Sequence, residues 1–93
     1  MKRYVIEQIS HDDAHEYRKD YFGKYAKRLN TYYDAINHDF TEKNISEYDI
    51  RNKAFTKKES AESQAQYMES MENISKDRPN EWLPSFNVKE IVL

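Results

Sequence analysis

Two histidines four residues apart, His11 and His15, come closest in this sequence to an arrangement for chemistry. On a helix that spacing puts both imidazoles on one face, where they can share a metal ion. Acidic neighbours Asp12, Asp13 and Glu16 stand beside them.

The run HDDAH differs from the metal-hydrolase pattern HExxH in carrying Asp12 for the glutamate. Aspartate is a methylene shorter, which takes its carboxylate away from a metal-bound water. His38, the remaining histidine, is remote in sequence, and no third ligand is evident. The pair therefore reads as polar residues gathered at a helix start, and neither a metal nor another cofactor is expected. The other routes to catalysis are also missing from the sequence. It has no Gly-rich phosphate loop and no nucleophile elbow, and with no cysteine it has no thiolate and no disulfide. With a single glycine and a small core, a sequestered active site is hard to build, so no enzyme activity is expected.

Binding is the richer signal. Arg18 stands among tyrosines, a composition enriched at protein interfaces. The candidate partner-binding set is Tyr17, Arg18, Tyr21, Phe22, Tyr25, Tyr32, Tyr33 and Trp82. Lys19, Lys24, Lys27 and Arg28 interleave with these rings, as on a surface that stacks single-stranded nucleic acid. That second reading is the weaker one. The cations share their arc with Asp13, Glu16 and Asp20, and the chain as a whole carries a net charge of −2.

These residues need a scaffold to position them, and the segment from Ser10 to His38 offers one. At about 100° per residue, Ala14, Tyr17, Tyr21, Tyr25, Leu29, Tyr32 and Ile36 fall on one stripe. The spacing predicts a long amphipathic helix, opened by Ser10 and Asp13 as a shortened capping box. Gly23 falls on the solvent side of that wheel. A second helix is predicted from 57 to about 75, with Thr56 and Glu59 as its capping box. Its narrow stripe is Ala61, Ala65, Met68 and Met71, packed antiparallel on the first helix.

Strands are predicted at the two ends. Residues 3–9, RYVIEQI, and 86–93, FNVKEIVL, have β-forming composition, and the second must pair, most simply with the first or with a copy of itself. Residues 45–55 are ambiguous: Tyr48, Ile50, Asn52 and Ala54 alternate as in a strand, Ser46 to Asp49 could open a helix, and the balance falls on an irregular or short extended segment. Residues 76–84, with Pro79 and Pro84, read as a loop holding Trp82.

Ninety-three residues suit one small domain, 38% hydrophobic and 34% charged. The fold class expected is α+β: N-terminal strand, long helix, second helix, C-terminal strand. The alternative is a mainly α helical hairpin that dimerises. No apolar run approaches a membrane span, and the start does not read as a signal peptide, so a cytoplasmic protein is expected. Ten Lys against five Arg, with seven Asn and seven Ile, fit A/T-rich codons, a style common among small phage and mobile-element proteins. The expectation for function is a non-catalytic protein-binding module, an inhibitor or adaptor acting on a host protein complex, with a homodimer as a further possibility.

Overall fold

The computed structural model describes residues 1–11, 17–29, 33–34, 39–40, 45–74 and 85–93. Strand β1 (Lys2–His11) pairs antiparallel with β2 (Tyr17–Phe22) on one side and with β5 (Ser85–Val92) on the other, giving the sheet order β2-β1-β5. Two-residue strands β3 (Tyr33–Asp34) and β4 (Asp39–Phe40) form a separate antiparallel ladder. Helices α1 (Glu47–Lys53) and α2 (Lys58–Ile74) lie between β4 and β5.

The α+β class and its terminal strands stand as expected. Residues Lys2 to Ile9 face Val92 to Ser85 in continuous register, so the C-terminal strand does pair with the N-terminal one. The long helix does not form across the described part of 10–38. Tyr17–Phe22 is extended, with His11 opposite Tyr17 and Ile6 opposite Phe22. Ser10 belongs to β1 and opens no helix.

The reason lies in β1 itself. Val5 and Ile6 are adjacent, point to opposite faces, and are both fully buried. A strand apolar on both faces has to be central, which requires a neighbour on each side. Tyr17, Tyr21 and Phe22 have β-forming side chains, and the ladder with β1 overrides the helical spacing of the tyrosines.

Each face carries its own core. On one, Val5 packs with Tyr21, Leu29, Ile45, Ile50 and Ala54. On the other, Ile6 packs with Phe55, Ala61 and Ala65, joined by the half-buried Tyr4, Phe22, Met68, Phe86 and Val88. The second helix runs as predicted, but α2 lies against the sheet and has no long helix to pair with. Ala61 and Ala65 are small enough to let its backbone approach the strands. Tyr67 and Met71 stand exposed, so the stripe ends at Met68. A helical hairpin is thereby replaced by a sheet covered on both faces.

Residues 47–53, where the sequence favours an extended or irregular segment over a helix opened at Ser46, are helical. Arg51 donates to Glu47 at 2.9 Å and Lys53 pairs with Asp49 at 2.9 Å, both across one turn. Ile50 and Ala54 are thereby turned into the Val5 core. Phe55 then bridges Tyr4, each amide donating to the other's carbonyl at 2.8–2.9 Å. Among the described residues, no helix is long and apolar enough to cross a membrane.

Candidate functional site

After Phe22 the chain turns back on itself. Gly23 donates its N–H to the carbonyl of Lys27 at 2.8 Å, and Leu29 donates to Tyr21 at 2.9 Å. Between these bonds lies a short 3-10 turn, Lys24–Ala26. Tyr25 and Ala26 both take positive φ, 58° and 56°, in the left-handed region that L side chains avoid. Neither residue is a type that adopts this conformation readily.

The turn holds Tyr25 out from the surface, with 86% of its area exposed. A pocket of about 300 Å³ lies against it, lined by Lys24, Tyr25, Phe55, Thr56, Ser60 and Gln64. The sheet-bridging residue Phe55 supplies an apolar floor, and the first turns of α2 supply a hydroxyl and an amide. Such a corner can seat an apolar side chain while hydrogen-bonding its backbone.

The predicted partner-binding residues divide accordingly. Tyr21 is only 2% exposed and packs in the Val5 core, so its ring serves the fold. Phe22 is half-buried against the Ile6 core. Among the described members of the set, Tyr25 is the ring that faces outward. Tyr17 and Arg18 have backbone positions in β2 and Tyr33 in β3, with side chains outside the described set. Tyr32 and Trp82 lie outside the described residues.

Among the described residues, the basic side chains are not drawn into one track. Arg28 lies 3.5 Å from the buried Asp20 and sits over the Phe22 ring, 5.9 Å from its centroid. Lys24 lines the Tyr25 pocket and Lys27 is exposed. Lys19 is placed in β2 by its backbone alone. His11 ends β1, so it does not share a helical face with His15, which lies outside the described residues.

Sequence reasoning missed Phe55, Thr56, Ser60 and Gln64. The signal available was the capping box at Thr56, which places a helix N-terminus directly after an aromatic residue. Compared with known protein families, curated proteins and solved structures, the chain matches none of them.

Proposed function

We propose that this chain is a non-catalytic protein-binding module that receives its partner at the corner built by Tyr25. The reading extends to an inhibitor or adaptor, of the kind a mobile element directs at a host complex. One observation carries it: a large aromatic ring is held in solvent by a backbone that costs free energy to maintain. A left-handed conformation costs about 1–2 kcal/mol for an ordinary L residue, and the ring presented by this one belongs to neither core. Tyrosine is among the residues that dominate binding energy at interfaces, and the adjoining pocket gives a partner side chain somewhere to go.

Tyr25→Gly tests the reading, because it removes the ring and the strain together. The partner is recovered by affinity enrichment from the source cell, and its affinity for both proteins is then measured by calorimetry. The variant should melt higher than the parent yet bind at least about tenfold more weakly, as for loss of an interface hot spot. Unchanged affinity for the recovered protein would overturn the proposal. So would tight, salt-sensitive retention of mixed-sequence DNA or RNA with no protein partner.

A further inference from the structure

The hydrogen-bond phase of β5 is fixed by its last residue. Leu93 donates its N–H to Met1 at 2.8 Å, and the Met1 amine donates to the Leu93 carbonyl at 3.2 Å. In an antiparallel ladder the bonded pairs recur at every second residue. The odd-numbered residues of β5 therefore bond to β1. Phe86, Val88, Glu90 and Val92 turn their N–H and C=O groups away from it. The Tyr4–Phe55 bridge confirms the phase, since even-numbered Tyr4 bonds on the β2 side of β1.

Among the described residues, β5 is an edge of its sheet, and it lacks the usual guards. It is eight residues long, contains neither proline nor glycine, and its register with β1 shows no bulge. Its two charges reach back toward β1. Lys89 lies 3.8 Å from Glu7, whereas Glu90 lies 3.6 Å from Lys2 and accepts the Tyr4 hydroxyl at 3.3 Å.

We infer that β5 pairs antiparallel with β5 of a second copy, about a two-fold axis through Val88, making one continuous six-stranded sheet. The register follows from strand length and charge: β5 runs Ser85–Val92, so an axis at Val88 or Lys89 pairs the most of the strand. A two-fold normal to the sheet requires opposed residues to lie on the same face, so the axis passes through a residue. An axis at Lys89 would set two ammonium groups directly opposite, which is unfavourable. An axis at Val88 sets Val88 against itself, Phe86 against Glu90 and Asn87 against Lys89. Glu90 brings its own Lys2 counter-ion into the contact.

The helical layer agrees with this choice. A groove between α2 and β5 runs along Lys58, Glu62, Gln66 and Glu69 above Phe86 and Val88. The two-fold sets the copy's α2 antiparallel beside it, turning Lys58, which pairs with Glu62 of its own helix at 3.9 Å, toward the Glu69 end of the other.

Light scattering on the full chain over rising concentration should show a mass that climbs from one chain to two. Glu90→Pro should abolish the rise with the circular dichroism and melting of the single chain kept, because the lost N–H points outward and the ring blocks the second strand. Amide exchange gives a readout without a variant. In concentrated protein the amides of Phe86, Val88 and Glu90 should become protected, while those of Asn87, Lys89 and Ile91 are protected at every concentration. The inference is overturned by a mass that stays at one chain, or that rises only when a foreign protein is added. It is equally overturned by a folded Glu90→Pro that still dimerises, or by outward amides whose exchange ignores concentration.

Discussion

The carbonyl of Lys53, at the end of α1, sits directly on Gly23. A Cβ built on Gly23 would overlap that carbonyl oxygen, stand 2.8 Å from its carbon and lie 3.1 Å from Cδ2 of Leu29. Glycine is needed here for space and not for its torsion freedom, since its φ of −105° is open to any residue. The obstacle is backbone, which cannot rotate aside. Gly23→Ala should therefore destabilise the chain by about 3 kcal/mol, the upper range for forced overpacking. Urea unfolding would read this as a lower midpoint with the slope unchanged.

Ala26 presents the opposite case. Its φ of 56° strains the backbone, and a glycine there would adopt the same torsion freely. Ala26→Gly should stabilise the fold by about 1 kcal/mol, the relief outweighing the added chain entropy of the unfolded state. For a domain of this size that is a rise of roughly 4–8 °C in melting temperature. A melting temperature that falls would mean the turn is not held in this conformation in solution.

The sequence made legible what is local or apolar in pattern. The capping box at Thr56 marks the start of α2 to within a residue, and the β-forming ends of the chain name both terminal strands and their pairing. The course of residues 17–29 was not legible, for a physical reason. Tyr17, Tyr21 and Tyr25 are spaced as on a helix, yet a strand followed by a tight reversal buries Tyr21 and leaves Tyr25 outside once β1 demands a neighbour. That demand is non-local. Gly23, placed in solvent by the helical wheel, is buried because α1 returns across it from thirty positions further along. At the candidate site, Tyr25 was visible as one tyrosine among several. Its distinction is backbone torsion, which composition does not encode for a tyrosine.

Central placement of β1 makes neighbouring positions equally intolerant of charge. Val5 and Ile6 are both fully buried, each in a different core. In a sheet with one wet face, one of the two would accept aspartate. Here Val5→Asp and Ile6→Asp should each abolish cooperative unfolding, because each would desolvate a new carboxylate inside an apolar core, and Lys89, opposite Val5, is already engaged with Glu7 at 3.8 Å. Circular dichroism of both variants decides it, and a folded Val5→Asp would show that the α1 side of the sheet is open.

Helix α1 contains two ion pairs of the same spacing in different surroundings, which separates burial from charge. Glu47 and Arg51 are both well exposed, with side chains 68% and 48% accessible. Asp49 is 2% accessible while its partner Lys53 is 44% accessible. An exposed pair is worth about 0.3–0.5 kcal/mol at this spacing, so Glu47→Ala should barely move the unfolding midpoint. Removing a partner of a buried carboxylate costs about 3–5 kcal/mol in full when nothing else holds the charge, and Asp49 has further interactions that lower this. Solvent around Lys53 reduces that figure, and Lys53→Met should cost about 1–2 kcal/mol. The Lys53 effect should also persist when salt is raised, whereas the Glu47 effect should vanish by screening. Equal, salt-sensitive losses for the two variants would show Asp49 to be solvated and the α1–sheet contact to be loose.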